Sequence, residues 1–326
     1  MCNSTVVLLN SISQQVIIYM GFFLFIIGLI GNLLTLLVFL SLETFRQSSC
    51  AFYLIIMSIV NTFHLFTGLL TFIMINGFAI NWTNTSLFYC KFRPFCVQVC
   101  ISISFSCMCL ATIDQFLATL SNTRWHQFNN IKLARSIITG ITIIWILCEI
   151  PFMIYYGNTL PLSTGKFNCI MTNDAFRKYY NYFHGLILSN ILPLLIVILF
   201  GILAYRNVQK IAYRTVPLVR RELDKQLTVM VLVQVFYDTI ALTPLAILLI
   251  YNDIPDKSLD ACGIAILNIF TTLFTLLYYF HFVGSFFIYI CVSKRFRQQL
   301  IHVLFTNFNR YHPRPLNNNQ IQPQTS

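Results

Sequence analysis

The stretch VIIYMGFFLFIIGLIGNLLTLLVFL, Val16–Leu40, decides the fold. It contains no charged side chain, and about 20 such residues in a helix cross the hydrocarbon core of a bilayer. Six further stretches are long and apolar enough to do the same: Ala51–Ile75, Phe95–Thr119, Leu133–Tyr156, Tyr182–Tyr205, Leu227–Tyr251 and Gly263–Cys291. Their apolar runs are continuous rather than alternating, which argues against a membrane β-barrel. The connections are short. The sequence therefore predicts an all-α membrane protein, a bundle of seven transmembrane helices (numbered 1 to 7 in chain order) with little mass outside the bilayer.

Composition agrees. The 326 residues are 57% hydrophobic and 10% charged, with a mean hydropathy of +0.72. An ordinary soluble domain carries roughly 25% charged residues, so a soluble enzyme and a disordered chain are both excluded. The net charge of +11 would suit nucleic acid only on a soluble basic face. Here the basic residues lie between apolar runs, beside anionic lipid headgroups. Membrane lipid is an expected partner and nucleic acid is not.

Two signals orient the chain. The loops after helices 1, 3 and 5 and the tail carry 15 of the 21 Lys and Arg residues, among them Arg46, Arg124, Arg206, Lys210, Arg214, Arg220, Arg221 and Lys225. The other side carries 6: Lys91, Arg93, Lys166, Arg177, Lys178 and Lys257. The positive-inside rule makes the first set cytoplasmic and the N-terminus extracellular. The three N-x-S/T sequons, at Asn3, Asn81 and Asn84, all fall on the extracellular side, where glycans are added. A plasma-membrane glycoprotein is the expectation.

The organisation read from the sequence is an extracellular N-terminus (1–15), the helical bundle (16–291), an amphipathic membrane-surface helix (292–306) and a disordered cytoplasmic tail (307–326) rich in Asn, Gln and Pro. Residues 1–15 lack a basic residue and a small-residue cleavage site, so helix 1 itself is the expected targeting signal, although Val6–Leu9 forms a short apolar patch. The amphipathic segment places Phe296, Leu300, Val303 and Leu304 on one side, with Lys294, Arg295 and Arg297 nearby.

A set of residues in register narrows the family. Helix 1 holds Gly31-Asn32. Cys90 opens helix 3 and Cys169 follows helix 4. Gln115, inside Asp114-Gln115-Phe116, lies 25 residues after Cys90. Trp145, Pro193 and Pro244 mark helices 4, 5 and 6, the last in Ala241-Leu242-Thr243-Pro244. Helix 7 ends in Ser285-Phe286-Phe287-Ile288-Tyr289. From helix 1 to about Phe305 this pattern resembles the rhodopsin-like (class A) G-protein-coupled receptors, in a divergent, peptide-receptor-like form.

The resemblance implies a Cys90–Cys169 disulfide, and it identifies the amphipathic segment with the family's eighth helix. It implies a ligand well formed by Val97, Gln98, Ile101, Ser189, Leu245, Leu249, Thr275 and Tyr279. A G-protein-facing set, Asp114, Gln115, Phe116, Asp224 and Tyr289, lies at the other end. Val97 stands where amine receptors carry an acid, and helix 7 lacks the lysine of a retinal Schiff base, so neither ligand class is expected. No cofactor is implied. An apolar well under Lys91, Arg93, Arg177 and Lys178 suits a peptide with an acidic or C-terminal group; the same four side chains, read alone, are equally compatible with snorkelling at the interface.

The departures from the family pattern concern switching. Gln115 replaces an arginine, Leu242 a tryptophan, and Ser285 and Phe286 an asparagine and a proline. Asn61 replaces the sodium-binding acid of helix 2, and the remaining matching positions are Ser104, His281 and Ser285. Asp238 lies near the middle of helix 6, where an ionised acid costs about 2.5–3.5 kcal/mol on insertion scales. Two readings of Asp238 stay open: an acid relocated from helix 2 to helix 6 that keeps an ion- or proton-responsive core, or a protonated carboxyl bonded to a neighbour. Glu149, before Pro151, reads as structural. His64 and His184 read as satisfied core imidazoles, because neither has a second metal ligand at helical spacing. Cys2 and Cys262 are a possible second extracellular pair.

The functional expectation is a receptor that transmits an extracellular ligand, a peptide by preference, to heterotrimeric G-proteins. It is not expected to be an enzyme. The alternatives are a non-signalling decoy or partner subunit of the same fold, which Gln115 favours, and a transporter, which the odd helix count and the absence of an internal repeat disfavour.

Overall fold

The computed structural model describes residues 2–41, 43–120, 130–160, 167–211, 218–252 and 260–311. The side chains of Cys2, Asn3, Asp224 and Leu249 lie outside the described residues, as do the Cys2–Cys262 pairing, most of the basic loop between helices 5 and 6, and the tail 312–326. Seven described helices are long and apolar enough to cross a bilayer.

Helix 1 runs Cys2–Ser41, helix 2 Ser49–Asn76, helix 3 Leu87–Thr119 and helix 4 Ile131–Tyr155. Strands β1 (Tyr156–Thr159) and β2 (Asn168–Met171) follow, paired antiparallel with Asn158 opposite Cys169. Helix 5 begins at Asp174–Lys178, continues as a π-helix over Tyr179–Ile191 and ends as Leu192–Ile211. Helix 6 is Leu218–Asn252, helix 7 Ala261–Val292 and helix 8 Lys294–Tyr311.

Helix starts follow local chemistry. Ser48, Ser86, Asn130 and Asp260 each accept a hydrogen bond from a backbone N–H of the first turn of helices 2, 3, 4 and 7, which satisfies donors that the helix itself leaves open. Within the spans, hydroxyls have no water to bond, so they donate back to the carbonyl four residues earlier. Thr35 to Gly31, Ser58 to Leu54 and Thr112 to Met108 are examples.

Close packing needs small residues where helices touch. A Cβ on Gly31 would lie 3.0 Å from Cβ of Phe286, and one on Gly28 would lie 2.7 Å from Val283; both bring helix 1 against helix 7. Between them Asn32 Nδ2 donates to the carbonyls of Gly28 and Phe282, each at 3.0 Å. The core runs down the bundle through Leu54, Met57, Leu65, Phe105, Phe282 and Tyr289. Ile143, Ile144 and Leu147 on helix 4 are exposed, on one of the seven apolar spans.

Several helices extend past their apolar stretches, helix 3 starting at Leu87, helix 5 at Asp174 and helix 6 at Leu218, and both ends of the bundle differ from the expected organisation. Residues 2–15 continue helix 1, because their polar side chains bond to neighbouring elements: Ser13 Oγ lies 2.8 Å from Thr272 Oγ1, and Gln14 Nε2 donates to the Gly77 carbonyl at 2.6 Å. The amphipathic helix, expected to end at 306, continues to Tyr311. Phe296 anchors it with complete burial against Phe39, Phe286 and Tyr289.

Candidate functional site

At one end of the bundle, Cys90 and Cys169 form a disulfide with Cα atoms 5.7 Å apart. It ties β2 to the start of helix 3. Asn84 assists: its Oδ1 accepts from Cys169 N at 3.1 Å and its Nδ2 approaches Asn168 Oδ1 at 3.4 Å. Asn81 instead caps its own short helix through Thr83 N. Of the four basic rim residues, Arg177 pairs with Asp174 at 2.9 Å on the exposed face. Arg93 is half-buried, and its Nε donates to the Thr67 carbonyl at 3.2 Å.

The residues expected to line the well do not all meet. Gln98 donates to the Tyr180 hydroxyl at 2.7 Å, joining helices 3 and 5. Ile101 is buried, while Val97, Leu245 and Thr275 are half-buried. Tyr279 stacks on His64 with centroids 5.6 Å apart. Ser189 lines a separate cavity between helices 5 and 6.

Below, the structure does bring together all five residues expected in the polar core. Ser104 Oγ donates to Asn61 Oδ1 at 2.7 Å and lies 3.3 Å from His281 Nε2. Nδ1 on the other edge of that ring stands 2.8 Å from Asp238 Oδ1, an ion-pair distance without the alignment of a hydrogen bond. Phe105 and Phe282 pack against the imidazole. Ser285 joins through Gln234, whose Nε2 donates to Ser285 Oγ at 3.0 Å while its Oε1 accepts from the Tyr289 hydroxyl at 2.9 Å. Gln234 carries this network and the sequence reading missed it. The available signal was its position four residues before Asp238, on the same face of helix 6.

A second buried acid has a partner as well. Glu149 Oε1 accepts from Ser102 Oγ at 3.0 Å and stands 2.7 Å from His184 Nε2, so helices 3, 4 and 5 meet on one carboxylate. His184 is thus bonded through Nε2, while its Nδ1 is buried without a hydrogen-bond partner among the described residues. His64 is not the satisfied imidazole expected: both ring nitrogens are buried without a hydrogen-bond partner among the described residues, because Tyr278, Tyr279 and Phe282 enclose the ring with their faces and edges. No group of three or more metal-binding side chains forms among the described residues.

The family model of the seven-transmembrane receptors of the rhodopsin family matches residues 31–300, a region that holds the disulfide, the polar core and the start of helix 8. The chain belongs to the rhodopsin family of seven-transmembrane receptors. Against curated individual proteins it has no match.

At the end of the receptor that carries helix 8, helix 6 is fastened to three neighbours. Thr228 Oγ1 donates to Gln115 Oε1 of helix 3 at 3.0 Å, both residues being buried. Gln234 holds helix 7 as described. Gln226 Oε1 accepts from Ser293 Oγ at 2.9 Å and Arg295 N at 3.2 Å, at the junction of helices 7 and 8. Phe116 packs on Phe200 of helix 5, and Asp114 is buried beside it on helix 3. Arg297 closes helix 7 by donating to the carbonyls of Ile290 and Cys291, the usual role of a cation at a helix C-terminus.

Proposed function

We propose that this receptor lies in the plasma membrane with the Cys90–Cys169 end outside, binds an extracellular peptide there, and activates a heterotrimeric G-protein at the helix 8 end. The observation that carries this reading is the neutral latch on helix 6. Each of its hydrogen bonds is worth about 1 kcal/mol net, and a ligand that binds the open packing more tightly by a few kcal/mol overturns such a set. Gln115 thereby holds helix 6 without the ion pair that an arginine would make. Release of the latch would uncover Asp114, Gln115, Phe116 and Tyr289.

On the outer side, Arg93 supports a ligand with an acidic or C-terminal carboxylate, since among the described residues its Nε alone is engaged, by Thr67, and guanidinium donors suit carboxylate oxygens. The agreement between the basic-residue bias and the sequons at Asn3, Asn81 and Asn84 supports the orientation. The polar core is the pivot in this reading, with the acid moved from helix 2 to Asp238 of helix 6. His281 stands between Ser104 and Asp238, so the near carboxylate oxygen faces a ring nitrogen rather than the oxygens of Asn61 and Ser104. That donor set suits a proton better than a sodium ion, which takes oxygen ligands.

A second reading, a decoy or partner subunit that does not signal, is favoured by Gln115 itself. G-protein dissociation in cells expressing the chain, across a broad panel of G-proteins and a peptide library, separates the two. Activity in the natural chain establishes the transducer. Activity only in Gln115→Arg, at equal surface expression, establishes the decoy.

A further inference from the structure

Between helices 5 and 6 lies a cavity of about 150 Å3, a volume that holds a benzene-sized group or several methylenes. Leu186, Leu194 and Val197 of helix 5 and Leu242 and Ala246 of helix 6 form its walls, above Met108 of helix 3. Its lip carries Ile191, Thr243, Ile247 and Ile250, all exposed on the surface that the bilayer covers. A smaller cavity of about 40 Å3 shares Leu186, Asn190, Ala246 and Ile250 with it and continues toward Tyr180. The two make one groove along the helix 5–6 seam, beside the π-helical part of helix 5, a backbone form common at functional positions.

The polar groups of the lining differ in what they have left to bond. Thr239 and Thr243 donate to the carbonyls of Val235 and Thr239 at 2.8 and 2.6 Å, and Asn190 Nδ2 donates to Gly185 at 2.6 Å. Asp238, 1% exposed, also lines the cavity, and neither of its carboxylate oxygens has a hydrogen-bond partner among the described residues. Oδ1 stands against His281 and the amide of Gln234 lies near the carboxylate, neither in full hydrogen-bond alignment. A buried acceptor at the foot of an apolar slot open to lipid calls for a partner that arrives through the lipid and brings a donor or a positive charge.

We propose that this groove is a second ligand site, reached laterally from the bilayer, for lipophilic amines. The alkyl or aromatic body lies between Leu186, Leu194, Leu242 and Ala246, and the protonated amine pairs with Asp238. The site is separate from the peptide well, and because it wedges helices 5 and 6 its occupancy biases the same latch.

The test uses the full receptor in lipid nanodiscs with diazirine-bearing sphingosine, an amine, and a diazirine-bearing fatty acid of equal chain length. Photolabelled peptides are mapped by mass spectrometry. Sphingosine is expected to label the peptides around Leu186–Val197 and Asp238–Ile250, with the fatty acid about tenfold weaker there. Labelling is expected to fall about tenfold in Asp238→Asn, which removes the charge, and in Ala246→Trp, which fills the groove. Thr243→Trp, at the lipid-exposed lip, gives the same loss if the core variants do not fold. Equal labelling by amine and acid, undiminished labelling in a folded Asp238→Asn, or no labelling of these peptides overturns the proposal.

Discussion

Thr228→Val removes one hydroxyl and almost no volume, and the latch on helix 6 predicts its effect. In the closed receptor Thr228 Oγ1 donates to Gln115 Oε1 at 3.0 Å in a buried setting. A neutral buried hydrogen bond is worth about 0.5–1.5 kcal/mol net. Since 1.4 kcal/mol is a factor of ten in an equilibrium constant, the ratio of open to closed receptor rises about 2- to 12-fold. A removed buried ion pair would instead cost about 3–5 kcal/mol and open the receptor by hundreds-fold or more, so the size of the change reports the neutral character of the latch. The readout is the distance between spin labels at Val229→Cys on helix 6 and Ser136→Cys on helix 4, in a background with the exposed Cys148 and Cys291 replaced by Ser. This assay needs no G-protein and therefore holds for a decoy as well. Gln115→Leu should open the receptor to a similar extent, and the double variant should add little, because both remove one bond. An unchanged distance distribution in Thr228→Val, or full additivity of the pair, would refute the reasoning.

Three further outcomes are expected. Glu149→Leu leaves His184 and Ser102 without their acceptor and should destabilise the receptor by about 3–5 kcal/mol, seen as a lower melting temperature in detergent; the Glu149→Leu, His184→Phe double variant should recover much of it. Replacing sodium by N-methylglucamine at constant ionic strength should shift basal output equally in the natural chain and in Asp238→Asn, and a shift confined to the natural chain would restore a sodium site. Asn84→Asp, which keeps the acceptor for Cys169 N while removing the sequon, should retain surface expression, whereas Asn84→Ala should lower it by the loss of a bond of about 1 kcal/mol, measured by antibody binding on intact cells.

The seven spans were legible because a bilayer demands long unbroken apolar runs, a property of consecutive residues that needs no knowledge of partners. The Cys90–Cys169 pair and the members of the polar core were legible through their register in a family pattern. Their mutual contacts were not. Which side chains meet across helices depends on rotation about each helix axis, and one π-turn shifts that rotation. The π-helix over Tyr179–Ile191 helps set where His184 meets Glu149, so His184 read as a lone imidazole until the helices were placed. Gln234 was missed for a related reason: a neutral amide in an apolar span carries no local mark of being a hub, and only the convergence of Ser285 and Tyr289 makes it one. Residues 1–15 read as an extracellular N-terminus ahead of helix 1, and from Cys2 they are helical because Thr272 and Gly77 stand where Ser13 and Gln14 can bond.

Sequence by itself thus determined that the chain spans a membrane seven times, and it pointed to the receptor family, since hydrophobic length and motif spacing are local. Tertiary structure decided how helix 6 is held, which acids have partners, and that a groove opens to lipid beside Asp238, since each of these depends on distances between residues far apart in the chain.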